Sequence, residues 1–160
     1  MEFLAWIENT ALSIWVREAL WVFPTLLVLH ALGMAFLVGN SLALNLRLLN
    51  LLPTFPVVYF KQFYGLAIIA FVVNLVSGLL LLLSYPAKGL TNPVFYLKMG
   101  IVLTAVLLLF RQFRQLKFDG QAQMSWALDK KIACLILVLW VVGIFSGRFL
   151  AYTHTWLLVT

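Results

Sequence analysis

The chain has 160 residues, of which 64% are hydrophobic and only 10% are charged. Soluble domains carry roughly 25% charged residues, so the composition excludes a soluble globular domain and is typical of an integral membrane protein. The formal net charge is +6, but the basic residues stand at the ends of apolar runs, where they orient membrane helices, so nucleic-acid binding is not indicated. The single cysteine, Cys134, excludes an internal disulfide and covalent c-type haem attachment.

The first predicted element is an amphipathic helix over residues 3–18. Its apolar residues recur at steps of three and four, the spacing of one helix face: Leu4, Ile7, Ala11, Ile14 and Trp15. Asn9 or Thr10 is expected to cap a turn of it. We expect this helix to lie in the membrane interface, with packing on a partner subunit as the alternative.

The first predicted membrane span covers residues 20–46, and His30 is its only ionisable side chain. An imidazole in hydrocarbon is costly, so an ionisable group inside a span marks a functional site by default. The alternative role for His30 is a hydrogen bond to a neighbouring carbonyl or Asn. Ala31, Ala35 and Gly39 stand four residues apart and predict the face on which another helix approaches closely.

Three further apolar runs predict spans over residues 58–84, 94–113 and 130–152. The predicted fold is therefore all-α, a single integral membrane domain forming a four-helix transmembrane bundle with an N-terminal interfacial helix. The loops after spans one and three hold seven basic residues, against four on the opposite side. Basic loops stay in the cytoplasm, so both termini are predicted to face outward, into the periplasm of a bacterium with two membranes.

Two groups of small and polar residues within the spans are predicted to make helix contacts. Asn74, Ser77 and Gly78 form a patch in the second span. Gly143 and Gly147 form a GxxxG spacing in the fourth span. The GxxxG face suits another helix of the same chain, a protein partner or a second copy in a homo-oligomer.

The predicted topology brings three basic side chains from three spans to the outer half of the bundle: His30, Lys98 and Arg148. A neutral imidazole is a common axial ligand of haem iron, and cationic side chains pair with propionates. The arrangement suits an anionic or metal-bearing cofactor such as a b-type haem, for which His30 would be an axial ligand, Lys98 a second ligand or charge partner, and Arg148 a propionate partner. Lys98 reaching toward the interface and Arg148 anchoring there are the alternatives. His154 can pair with His30 only if the fourth helix continues past the interface or folds back.

A soft-metal site is the main rival interpretation. His30 and Met34 share one helix face, Met99 adjoins Lys98, and copper(I) accepts thioether and imidazole ligands. The methionines otherwise fill gaps between helices. The third possibility is a cofactor-free accessory or structural subunit. A proton relay is not indicated, because all five carboxylates lie outside the predicted spans.

Four residues follow one another in a specific order along the spans. His30 lies in the first span, Arg47 follows it, Gly78 comes late in the second, and Lys98 opens the third in FYLKMGIVLTAVLLL. This order resembles the CopD/HemJ-like superfamily of small four-span bacterial membrane proteins. The segments HALGMAFLVGNSLALNLRLL and GRFLAY resemble uncharacterised members of that group.

The resemblance implies a fold, a cofactor and a location. In HemJ-class protoporphyrinogen oxidases, a first-span histidine and a lysine opening the third span are tied to a b-type haem, and these roles fall on His30 and Lys98. The CopD side of the group is associated with copper uptake from the periplasm. We therefore expect an inner-membrane protein for electron transfer or haem-dependent oxidation at the periplasmic half. A larger complex and a quinone or periplasmic electron carrier are the expected partners.

Overall fold

The computed structural model describes residues 2–52, 56–118 and 129–157, and all regular secondary structure in these ranges is helical. The elements in chain order are α1 (Glu2–Glu8), α2 (Ala11–Glu18), α3 (Val22–Leu48), a 3₁₀ helix (Val57–Gln62), α4 (Phe63–Ser84), α5 (Pro86–Leu90), α6 (Pro93–Phe118) and α7 (Lys130–Leu157). Prolines begin α5 and α6, where their missing N–H costs nothing.

The four long helices α3, α4, α6 and α7 are long and apolar enough to cross a membrane. Less than a quarter of the most apolar stretch of each helix is buried inside the chain, so most of their apolar surface faces outward. The prediction of an all-α chain with four apolar helices at these places is confirmed. α6 continues to Phe118, beyond the predicted end of the third span, and α7 to Leu157, beyond that of the fourth.

The N-terminal segment is two helices rather than the single predicted helix over residues 3–18. The Thr10 hydroxyl lies between them, donating to the Ile7 carbonyl at 2.8 Å and accepting from the Ser13 N–H at 3.4 Å. A hydroxyl that bonds to nearby backbone competes with the helical ladder, which explains the break. Thr10, one of the two residues predicted as a cap, is therefore the N-cap of α2.

Helices α1 and α2 fold back over the corner between α4 and α5. The Ser13 hydroxyl donates to the Leu83 carbonyl at 2.8 Å. The Ala87 N–H donates to a Glu8 carboxylate oxygen at 3.3 Å. The segment therefore covers one end of the long helices instead of extending away from them.

The long helices pack as two close pairs, α3 with α4 and α6 with α7, and α3 also packs on α7. Gly33 sets the approach of the first pair: a Cβ there would lie 3.0 Å from the Ala70 carbonyl oxygen and 3.0 Å from the backbone nitrogen of Asn74. The predicted contact stripe does not face any other described helix of the chain. Ala31, Ala35 and Gly39 are exposed, and a Cβ on Gly39 would meet nothing within 4 Å.

The GxxxG face of α7 packs on α6. A Cβ on Gly143 would lie 3.5 Å from methyl carbons of Ile101 and Val102, and one on Gly147 would lie 3.4 Å from the Lys98 amine. The predicted helix contact is confirmed. Helix α6 of the same chain covers this face.

A buried polar network joins α3, α6 and α7 in the half of the molecule opposite to α1 and α2. The Trp140 indole donates to the Ser41 hydroxyl at 2.7 Å, and the Gln112 amide donates to the Asn45 side chain at 2.9 Å. Asn45 in turn donates to the Ser41 carbonyl at 2.8 Å. All four residues are 1% exposed or less, and such bonds between helices fix their register where no water competes.

The close approach of α3 and α4 gives a test of this packing. Gly33→Leu should lower the free energy of unfolding in detergent micelles by about 1–3 kcal/mol, the usual cost of overpacking. Gly39→Leu is the matched control on the same helix and should leave stability unchanged or slightly raised, since it faces open space. Equal destabilisation by both substitutions would contradict the assigned contact face.

Candidate ligand-binding site

A cavity of about 570 Å³ lies between α3, α4 and α6, in the half of the molecule that α1 and α2 cover. Its volume falls within the range of small-molecule sites, roughly 300–1,000 Å³. Four of the predicted site residues line it together: His30, Met34, Lys98 and Met99. The structure thus brings predicted site residues from two separate helices, α3 and α6, to one cavity.

His30 points its Nδ1 away from solvent and toward α4. This nitrogen lies 3.1 Å from the Asn74 carbonyl oxygen and 3.2 Å from the Ser77 hydroxyl oxygen. A carbonyl can only accept a hydrogen bond, so Nδ1 must donate. The Ser77 hydroxyl gives its own proton to the Val73 carbonyl at 2.6 Å, which leaves its lone pairs to accept from Nδ1 as well.

These contacts determine the tautomer of a neutral His30. With the proton held on Nδ1, Nε2 carries the lone pair. Within the described part of the chain, no side chain or backbone group hydrogen-bonds to Nε2. Metal-bound histidines are held in the same way, since the nitrogen away from the metal donates to a carbonyl and fixes the ring.

Helix α4 is shaped to receive the imidazole. A Cβ on Gly78 would lie 2.9 Å from Cε1 of His30 and 3.3 Å from its Nδ1, so a larger residue there would push the ring out of this position. The Asn74 amide donates back to the His30 carbonyl at 2.9 Å. The patch of Asn74, Ser77 and Gly78 is therefore a helix contact, as predicted, and the residue that it contacts is His30.

Sequence reasoning did not connect this patch with His30. The signal was present, because an amide, a hydroxyl and a glycine within five residues of an otherwise apolar run need a polar partner on a facing helix. His30 is the only ionisable residue of the neighbouring span. The carbonyl bond considered as an alternative role for His30 is also observed, but it engages only Nδ1.

Lys98 supplies the positive charge of the cavity. Its side chain is half-buried, lines the cavity and lies over Gly147 of α7, which has no side chain to displace it. No carboxylate of the described residues forms an ion pair with Lys98. A half-buried cation without a protein counter-ion loses part of its hydration without compensation, so an anionic group in the cavity would stabilise it.

The remaining predicted residues divide into two groups. Met34 is half-buried and Met99 is exposed, and both line the cavity. Arg148 and His154 belong to α7, but their side chains lie outside the described residues. At the covered end, Tyr85 lines the cavity, and the Arg17 guanidinium of α2 stands 6.0 Å from the centre of its ring, within cation–π range.

No protein-family model, curated protein or solved structure matches the chain. The chemistry of the site therefore has to be inferred from its own residues. In the ranges that the structure describes, no three His, Cys, Asp or Glu side chains come together to hold a metal ion. A haem needs less from the protein, because its ring nitrogens bind the iron and the chain supplies only axial ligands.

The tautomer of His30 can be measured directly. We expect ¹⁵N NMR of the neutral histidine to show the proton on Nδ1 and an unprotonated Nε2, because the Asn74 carbonyl accepts only from a protonated nitrogen. Selective labelling of histidine leaves the ring nitrogens of two residues, His30 and His154, and His30→Gln assigns the pair of signals from His30. A proton found on Nε2 would show that the ring is not held in this way.

Proposed function

We propose that the chain is a four-helix transmembrane bundle that binds a b-type haem in the cavity, with Nε2 of His30 as an axial ligand of the iron. The observation that carries the proposal is the geometry of one side chain. Nδ1 of His30 is occupied by the Asn74 carbonyl and the Ser77 hydroxyl. The lone pair of the ring is then left on Nε2, in a cavity with otherwise largely apolar walls.

The residues around His30 fit the other demands of a haem. Leu75, Leu79, Phe95 and Val102 line the cavity with apolar surface, which suits the porphyrin faces. Lys98 is the second axial ligand or the partner of a propionate, and Arg148 is a further propionate partner. The bound haem would supply one-electron chemistry, and the chain would hold it, orient it and keep water away.

The membrane arrangement is part of the proposal. The basic ends of α3 and α6 lie on the cytoplasmic side, and both termini lie in the periplasm. Trp6, Trp15 and Trp21 are largely exposed on or beside α1 and α2, and tryptophan favours the membrane interface. This supports an amphipathic interfacial segment at the outer surface, above the cavity.

The function that follows is electron transfer or haem-dependent oxidation in the periplasmic half of a bacterial inner membrane. The resemblance of His30, Gly78 and Lys98 to the CopD/HemJ-like superfamily supports this assignment, and a larger complex or homo-oligomer is the proposed setting. A quinone or a periplasmic electron carrier would exchange electrons with the site.

Copper handling is the second candidate, and one observation favours it. His30, Met34 and Met99 line the same cavity, and imidazole with two thioethers suits copper(I). A cofactor-free accessory subunit is the third candidate, in which His30 serves only to join α3 to α4. The three candidates differ in what the purified protein contains.

We expect the full chain, purified from haem-replete cells, to show a Soret band and bound iron. His30→Ala should abolish the band, whereas Met34→Leu should leave it unchanged. Bound copper without a Soret band, lost in Met34→Leu, would favour the copper candidate. A protein with neither, still able to fold, would leave the accessory-subunit candidate. Circular dichroism and gel filtration establish that each variant folds.

Substitution of Lys98 separates its two proposed roles. Lys98→Leu should weaken haem binding about tenfold or more, as expected for the loss of a charge-assisted bond. Lys98→Arg keeps the charge but provides no ligand, since arginine stays protonated. An unchanged absorption spectrum in Lys98→Arg identifies a propionate partner, and a change of the iron spin state identifies an axial ligand. Unaltered affinity in Lys98→Leu would contradict both roles.

A further inference from the structure

The cavity lies in a gap between α4 and α6. In the half of the molecule away from α1 and α2, aromatic contacts hold these helices together: the ring centres of Phe71 and Phe110 lie 5.6 Å apart, and those of Tyr64 and Phe110 lie 6.3 Å apart. In the other half, the residues of α4 and α6 that would form such contacts line the cavity instead. The two helices are therefore closed at one end and separated at the other.

The gap opens sideways. Leu75 and Leu79 of α4 line the cavity and are 45% and 52% exposed, and Met99 of α6 also lines it and is 46% exposed. A residue that lines a cavity and is exposed as well marks an opening. Leu79 and Met99 lie roughly 7–9 Å inside the ends of their helices at the α-helical rise. In a membrane-spanning protein this depth is hydrocarbon.

The end of the cavity nearest the aqueous phase is covered. Tyr85 and Gly89 line that end, and α1 packs on α5 while α2 packs on α3 and α4. The bonds from Ser13 to Leu83 and from Ala87 to Glu8 hold this cover in place. The open route to the cavity is therefore the side between α4 and α6.

We propose that the cavity exchanges its ligand laterally with the lipid, through an opening between Leu79 and Met99. The ligand class is an amphiphile dissolved in the membrane, with an apolar body and a carboxylate that ends at Lys98. The charge of Lys98, which no carboxylate of the described residues neutralises, supplies the complementarity. The inference rests on the membrane orientation proposed above but not on haem. Haem belongs to this class, whereas a free copper ion does not.

The test uses the full chain reconstituted in phosphatidylcholine vesicles and two probes added within the lipid. The first probe is cis-parinaric acid, a fluorescent long-chain carboxylate that needs no iron ligand. The second is hemin. Lys98→Leu should weaken cis-parinaric acid binding about tenfold, whereas Lys61→Leu, which removes an exposed charge that does not line the cavity, should leave it unchanged.

Bulky side chains placed at the opening test the route. Leu79→Trp and Met99→Trp should slow uptake of both probes from the vesicles several-fold. Val76→Trp on α4 and Leu97→Trp on α6 are the matched controls, because these residues are similarly exposed (51% and 62%) and do not line the cavity. Both controls should take up the probes at the rate of the unaltered chain.

The outcomes distinguish this inference from the proposed haem function. If Leu79→Trp and Met99→Trp slow the uptake of cis-parinaric acid and the chain does not bind hemin, lateral exchange is supported and the haem proposal is contradicted. If hemin binds to Leu79→Trp and Met99→Trp at the same rate as to the two control variants, lateral exchange is overturned and the haem proposal is left intact. Failure of the unaltered chain to bind either probe overturns the inference.

Discussion

The structure depends on the hydrogen bond between Nδ1 of His30 and the Asn74 carbonyl. This bond links α3 to α4 and satisfies a polar group that would be costly in hydrocarbon. It also decides which nitrogen of the ring is left for a ligand. Gly78 makes the bond possible by leaving space for the ring, and Gly33 brings the two helices close enough for it to form. A single contact thus serves both the packing of the helices and the chemistry of the cavity.

The molecule divides into a closely packed half and a half that contains the cavity. In one half, Trp140, Gln112, Asn45 and Ser41 form a buried network among three helices, and aromatic rings hold α4 against α6. In the other half, α4 and α6 are separated by the cavity, and α1 with α2 covers its end. The buried network at one end determines how α6 and α7 are positioned against α3. The helices therefore keep their register although the other end contains a cavity.

Much of the fold could be predicted from the sequence because span length and apolarity are local properties of the chain. The meeting of His30 with Lys98 was also predictable, since alternating spans place both in the same half. The face of α3 that packs against α4 could not be predicted from the sequence. The spacing of a close helix contact is found at Ala31, Ala35 and Gly39, but the close contact with α4 is made at Gly33. The spacing of small residues does not determine which helix packs against them. The break at Thr10 was missed for a similar reason, as a cap and a helix interruption have the same sequence signal.

The most direct test of this account is an experimental structure of the full chain after incubation with hemin in a lipid environment. We expect density for a haem between α3, α4 and α6, with the iron bound by Nε2 of His30 while Nδ1 keeps its bond to the Asn74 carbonyl. Lys98 should lie against the iron or a propionate. A haem outside this cavity, or an iron bound by Nδ1 of a rotated ring, would contradict the central claim that α4 prepares His30 to bind through Nε2.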